Sequence, residues 1–354
     1  MRGGSDNFRA NSATVYRHPP RRAYPRTVLS VAVVALSGGA SIGPAGFMDV
    51  LLKADRAWQL QAGKAWTPLF DVALVGLDSK PVRCRDGIVL EPHHRARDLS
   101  CPNLVVVPAF DDENLLDSLA DNRNWVPWLT TWHAGGARVA SSCIGAFLLA
   151  EAGLLDGRPA TTHWMFADTL RRLYPSVKVT SDRLIVDAGD AITCGGATTF
   201  LSLVIYLVER FGGHERAAVA RKVLLIDGGR TSQLPYLAFT PVRDYGDELV
   251  QRVQDYIDGH LGQPIRSDAL ARMFGVSPRT LARRFRAATR GTVNKYVQQA
   301  RILKAKKLLE TTDLPIEQIR SATGYLDPAS FRRAFRQAAG ISPRQYRATY
   351  TTVG

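Results

Sequence analysis

Two segments in the last third of the chain follow one plan, and that duplication restricts the C-terminal part to a doubled helical unit. In the first, SDALARMF (Ser267–Phe274) has helical spacing with Ser267 as its expected N-cap. A turn over Gly275-Val276-Ser277 leads into a second helix, Pro278–Thr289. Proline suits the first helical position after a serine cap. Leu281 and Phe285 are four apart and share the inward face, which leaves Arg279, Arg283, Arg284 and Arg286 on the other faces. The second segment repeats this with Ile316–Thr323, the turn Gly324-Tyr325-Leu326, the cap Asp327 and the helix Pro328–Ala339. Phe331 and Phe335 point inward, and Arg332, Arg333 and Arg336 remain for solvent or phosphate. Gly275 and Gly324 stand where each turn demands a left-handed backbone. A single segment of this kind also reads as a solvated helical hairpin. Two copies with the same glycine, cap, proline and aromatic spacing, joined by the helical VNKYVQQARILKAKKLLE, are hard to obtain by chance.

Charge agrees with a nucleic-acid reading without deciding it. Lys plus Arg number 46 against 32 Asp plus Glu, a net +14. Such an excess favours a polyanionic partner, nucleic acid before an anionic membrane surface, although a basic surface kept for solubility is the plain alternative. The length of 354 residues predicts two or three domains. Cys84, Cys101, Cys143 and Cys194 form no CxxC pair, which argues against a bound metal and for reduced cytosolic thiols. Near the N-terminus, Arg21-Arg22 precede the apolar run Val28–Leu36 and small residues. A short secretory signal and a basic arm feeding a buried strand both fit; the β-branched VLSVAVVAL favours the strand. No other stretch is apolar enough to span a bilayer, so a cytoplasmic protein with no membrane partner is expected.

Hydrophobic patterning divides the rest. Residues 1–26 lack periodicity and are expected to be a disordered basic arm. Over 27–213, short apolar runs alternate with helical stretches: VLSVAVVAL, a helix over Phe47–Ala54, VALVGL, LVVVPAF, a helical region Asn114–Ala134 divided by Pro127, and ARVASSC running into IGAFLLAEAGLL. VKVT and LIVDAG follow as an expected hairpin, then AITCGG and the helix ATTFLSLVIYLVERFG. This order predicts a flavodoxin-like α/β domain, a mostly parallel sheet with helices on both faces. Residues 214–244, with Gly228-Gly229, Pro235 and Pro241, read as a linker, and 245–354 as an all-α domain with two helix-turn-helix motifs.

The run Ile265–Tyr350, notably ARILKAKKLLETTDLPIEQIRSATGYLDPASFRRAFRQAAGISPRQYR, resembles the AraC/XylS DNA-binding domain. That resemblance implies two helix-turn-helix units, joined by a long helix, entering successive major-groove segments of double-stranded DNA about 34 Å apart. It implies that Arg279, Ala282 and Arg283, with Thr280 beside them, face base edges in the first unit, and Ala329, Ser330 and Arg333 in the second. An arginine can hold a guanine bidentately, worth about 1–3 kcal/mol of discrimination. The two alanines offer only methyl contacts. Arg284, Arg286, Arg332 and Arg336 are then expected on phosphate, which orients without specifying.

In the α/β part, a small-residue strand ends at Cys143 and a helix begins at once, as in a nucleophile elbow. A buried cysteine at a tight strand-to-helix turn reads equally well there. With AGLLDGRPATTHW and TCGGATTFLSLVIYLVERFGG, the region resembles the ThiJ/PfpI branch of the class I glutamine amidotransferase-like fold, and its pairing with an AraC-type tail resembles the GlxA-type regulators. The departures bear on activity. Enzymes of this fold carry an acidic residue near the first loop, where GGASIGP has Ala40 and no acidic neighbour, and the residue after the cysteine is Ile144 rather than histidine. His163 serves as a base only if the fold returns it to Cys143. A domain that binds rather than cleaves is therefore expected, without a cofactor. Its pocket lies beyond the strand ends, around Gly43, Pro44, Ala109, Phe110, Cys143, Ile144 and Gly195. The resemblance implies a small nitrogenous effector and a homodimer. A Cys143-dependent hydrolase or hydratase with a DNA-binding tail is the alternative, and a Cys143–Cys194 redox pair is conceivable.

Overall fold

The buried strand expected after the basic arm is β1 (Leu29–Val34), with Val31 to Val34 all buried. The structure, a computed structural model, describes residues 28–62, 68–196, 198–228, 230–237 and 246–350; the expected basic arm, residues 1–26, lies outside them. β1 leads through Gly38, whose φ of 68° suits glycine, into α1 (Ile42–Ala62). Then come β2 (Phe70–Gly76), the small antiparallel pair β3 (Val82–Arg83) and β4 (Val89–Leu90), and β5 (His94–Arg95). β6 (Leu104–Val107) is buried at every residue. The expected helix before Ala134 is indeed divided, into α2 (Leu115–Asp121), a 3-10 turn at Arg123–Trp125, and α3 (Val126–Ala134) with Pro127 in its first turn. β7 (Arg138–Ser142) and α4 (Gly145–Glu151) flank Cys143.

VKVT and LIVDAG do not form a hairpin. After β8 (Pro159–Ala160) and α5 (Ala167–Leu173), β9 (Lys178–Val179) pairs in parallel with β8. β10 (Ile185–Asp187) lies instead beside β11 (Ala191–Cys194), with Ala188 N donating to Ala191 O at 2.9 Å. The main sheet has seven strands in the order β10-β11-β7-β6-β1-β2-β5. β1 is parallel to both β2 and β6, β6 to β7, and β2 to β5. The order reverses between β1 and β6, the switch point at which ligands gather in open α/β sheets. Strands covered on both faces read as the unbroken apolar runs seen in the sequence.

α6 (Phe200–Gly212) packs with α1, its Phe200 ring 5.4 Å from that of Phe47. The stretch from residue 214, expected as a linker, begins with a helix, α7 (His214–Val223), which packs on α1 and α6. Its anchor is Asp55 of α1, buried and bonded by Leu69 N at 2.5 Å, Phe70 N at 3.2 Å and Arg216 Nη1 at 3.0 Å. Burial pushes this carboxyl up despite those partners. A 3-10 turn at Leu234–Tyr236 follows, and residues 229 and 238–244 of the expected linker lie outside the described residues.

The C-terminal helices are α8 (Glu248–Gly259), α9 (Ser267–Met273), α10 (Pro278–Thr289), α11 (Val293–Thr311), α12 (Ile316–Ala322), α13 (Pro328–Ala339) and α14 (Pro343–Tyr350). α11 divides its apolar residues between two cores. Val293, Tyr296, Val297 and Ala300 join α8 to α10, while Ile302, Ala305 and Leu309 join α12 to α14. By its contacts the chain falls into two compact units: the first holds residues up to 156, 187–193 and 197–228, and the second 157–186, 194–196 and 229 onward.

Candidate nucleic-acid interface and strand-end site

The two repeats match atom by atom where the sequence matched. Ser277 accepts from Thr280 N, and Asp327 accepts from Ala329 N and Ser330 N, so each second helix begins on a side-chain cap. Ser267 is not a cap: it is the first residue of α9, and Arg266 occupies the N-cap position with no side-chain bond. Gly275 and Gly324 have φ of 68° and 76°. Each donates to the carbonyl three back, and the next residue donates to the carbonyl five back (Val276 to Ala271, Tyr325 to Arg320), the double bond that closes a helix end on glycine. The pairing extends past the expected segments. The Tyr296 ring meets Phe285 edge-on at 5.7 Å, and Tyr346 meets Phe335 at 5.4 Å. Thr292 and Ser342 cap the helices that follow.

Leu281, Phe285, Phe331 and Phe335 are buried. That orientation turns the opposite faces outward. Arg279, Ala282, Arg283 and Arg286 are all exposed, and their spacing of i, i+3, i+4, i+7 is a single stripe along α10. Ala329, Arg332, Arg333 and Arg336 form the same exposed stripe on α13. Thr280 and Ser330 are partly buried beside the caps, with Ser330 Oγ bonded to Asp327. Arg284 sits apart. Its guanidinium grips Asp247 at 2.6 and 2.9 Å, and Asp247 caps α8 through Val250 N. The pair ties α10 to α8, so an arginine expected on phosphate is already engaged within the protein. The same bond holds the Asp247 carboxyl below its ordinary range.

In the first unit, Cys143 has φ of 53°, the strained left-handed backbone of an elbow. A Cβ at Gly145 would stand 2.4 Å from Val107 O, so only glycine lets α4 approach the end of β6. Gly43 and Pro44 fall in the first turn of α1, and a Cβ at Gly43 would lie 3.1 Å from Pro108. Ala109 is half-buried, and Phe110 and Ile144 are buried. The thiol is 6% exposed, and burial is the main cause of its pKa being pushed up to about 12, with Asp112 adding to the rise and the Ile144 amide and Arg85 opposing it. The first loop lacks its own acid but receives one from the β3–β4 turn: Asp86 accepts from Ser41 N at 3.1 Å and Ser41 Oγ at 2.7 Å. Arg85 in turn pairs with Asp112 at 2.6 Å. The acidic pair Asp111-Asp112, a few residues past the end of β6, was the signal available for this cluster.

In the second unit, Gly195 does not open onto a cavity. Gln233 fills the space a Cβ would take, 2.3 Å away, and its amide bonds Thr161 Oγ1, Thr162 O and Arg183 O. His163 caps a 3-10 turn by accepting from Met165 N at 3.2 Å and stacks on Trp164. None of the four cysteines is in a disulfide; Cys101 is exposed, and Cys84, Cys143 and Cys194 are buried.

Comparison with known proteins agrees with both halves. Residues 270–349, from α9 to α14, match a helix-turn-helix domain family, and residues 67–210 match the DJ-1/PfpI family. The regulatory protein SoxS of Salmonella typhimurium is 36% identical over 100 residues, 28% of this chain and 94% of SoxS. The chain is an AraC-type helix-turn-helix regulator with a DJ-1/PfpI domain. Two HTH-type transcriptional regulators resemble it over longer stretches. CdhR of Pseudomonas aeruginosa is 32% identical over 226 residues, 63% of this chain and 66% of CdhR. GlxA of Rhizobium meliloti is 32% identical over 224 residues, 60% of this chain and 65% of GlxA. The chain thus spans about two thirds of the length of these two relatives.

One feature of the C-terminal helices had no sequence signal. Lys306 of α11 is buried, and its ammonium donates to Leu234 O at 3.3 Å, Pro235 O at 3.2 Å and Leu237 O at 2.8 Å. Burial pushes it down to about 8, so these carbonyls receive a charged donor at neutral pH. Among the described residues no helix is long and apolar enough to cross a membrane.

Proposed function

We propose that this regulator binds its operator as a cytoplasmic homodimer, reading bases with Arg279, Arg283 and Arg333 and phosphates with Arg286, Arg332 and Arg336, under control of a small nitrogenous effector. The observation that carries the reading is the pair of exposed stripes on α10 and α13, each on the first-turn-capped second helix of its unit. A helix-turn-helix presents that helix to the major groove. Control through the segment joining the two halves is supported by Lys306, which ties residues 234–237 to α11, the helix shared by both readers' cores. An effector that favours one arrangement of that segment alters reader presentation by linkage. Dimerisation would rest on the α/β domain.

The test is quantitative footprinting on operator and random DNA. Arg283→Ala and Arg333→Ala should each reduce the operator-to-random ratio by about 1–3 kcal/mol of discrimination. Equal loss on both DNAs, with the ratio unchanged, would refute the base-reading assignment.

One observation favours a second reading, an elbow enzyme: the positive φ at Cys143. A buried thiol pushed up to about 12 opposes it, since the thiolate is the nucleophile. Cys143→Ser separates the two, leaving operator binding and regulation intact if the domain only senses.

A further inference from the structure

A cavity of about 640 Å³ lies within the second unit, lined in part by the end of α10 and the first half of α11. Trp164, Ile302 and Leu303 give it apolar lining. The junction between α10 and α11 also lines it, with Arg290, Gly291, Thr292 and Lys295. Its charges are unbalanced. Asp168 is the single acid in the lining, and Arg171 takes it at 2.6 Å. Arg290 and Lys295, both exposed, and the ammonium of Lys306 are left as net positive charge. The N-terminus of α11 opens at the same place and adds its positive end.

We propose that this cavity binds a small organic anion by its carboxylate or phosphate head, with a short apolar body beyond it, and that the nitrogenous effector inferred above is held here by such an acidic head. The head is held by Arg290 and Lys295, and the body lies against Trp164 and Leu303. The geometry gives the ligand a grip on DNA reading. Arg290 is the C-cap of the first reader helix, and Lys295 is in the first turn of α11, which supplies both cores. A head that reaches Lys306 also competes with the carbonyls of Leu234, Pro235 and Leu237 for its donors. Identifying the anion as effector rests on the regulator reading; the occupancy of the cavity does not.

The test uses calorimetric titration of the full chain, without DNA, with benzoate, phenyl phosphate and benzylamine. Benzoate or phenyl phosphate should bind in the range of about 0.1–5 mM, and the tighter of the two names the head group. Benzylamine should not bind. The double variant Arg290→Gly, Lys295→Gln should weaken the better anion by about tenfold, the worth of one charge-assisted contact. Arg290 already has a left-handed φ of 54°, the conformation Gly340 adopts after α13, so glycine there relieves the backbone and folding is retained. Absence of anion binding, equal binding of benzylamine, or an unchanged double variant overturns the site. Operator footprinting of the same protein with and without the better anion then tests the effector role. Binding to the cavity with no effect on the footprint removes that role and leaves the site standing.

Discussion

Replacing Gly324 by alanine separates two costs that look identical in the sequence. Gly275 and Gly324 occupy matching turns with φ of 68° and 76°, so alanine at either pays the left-handed penalty, about 1–2 kcal/mol. The surroundings differ. A Cβ on Gly275 meets nothing within 4 Å. A Cβ on Gly324 would stand 2.3 Å from Leu261 O and 2.6 Å from Arg301 Nη2. Neither neighbour yields readily. The oxygen is backbone, and the guanidinium is held by that same oxygen at 3.1 Å and by Gln263 O at 2.7 Å while lying over the Tyr325 ring. Forcing an extra methyl into such a contact adds about 1–3 kcal/mol. The expected losses are therefore about 1–2 kcal/mol for Gly275→Ala and about 2–5 kcal/mol for Gly324→Ala. Urea unfolding followed by far-ultraviolet circular dichroism, on the full chain with both variants side by side, measures the difference. Equal losses would refute the argument, since they would mean that backbone conformation alone sets the cost and the close approach contributes nothing.

Three further outcomes follow from the geometry. Asp247 has a carboxyl lowered chiefly by its bond from Arg284, so the pair adds stability above the ordinary aspartate range near 4 and loses it as pH falls through the lowered value. Arg284→Ala should lower stability at pH 7 and flatten that acid limb, with DNA affinity in random sequence changed less than by Arg286→Ala; an unchanged acid limb would count against the clamp. Cys143 is buried with its thiol pushed up to about 12, so exposed Cys101 should be alkylated first, as read by peptide mass; labelling of Cys143 as fast as Cys101 would restore the enzyme reading. Lys306→Met should strand three carbonyls and raise hydrogen exchange at the Tyr236 and Leu237 amides, and undisturbed protection there would show that the lysine does not hold the segment.

What was legible in the chain was whatever a stretch of ten or so residues encodes. The caps Ser277 and Asp327, the prolines after them, the paired aromatics and the turn glycines act through bonds to near neighbours, and the structure reproduces each. The unbroken apolar runs of β1 and β6 likewise announced strands buried on both faces. Ser267 failed as a cap because the same residue type also fits the first helical position, and only the chain's approach through Arg266 decides between them. The remaining features depend on partners far away in sequence. Asp55 meets Arg216 across 161 positions and turns an expected linker into a packed helix. Ser41 meets Asp86 across 45, supplying the acid that the first loop lacks. Gln233 closes the space beside Gly195, and Lys306 takes its carbonyls from 69 to 72 positions back. Periodicity states which face of an element avoids water, but the side chain that meets that face is chosen by the path of the chain through the sheet and the helices. Hence the exposed arginine stripes were present in the order of the residues, while the state of the elbow thiol and the charged cavity beside α11 came into being only with the tertiary structure.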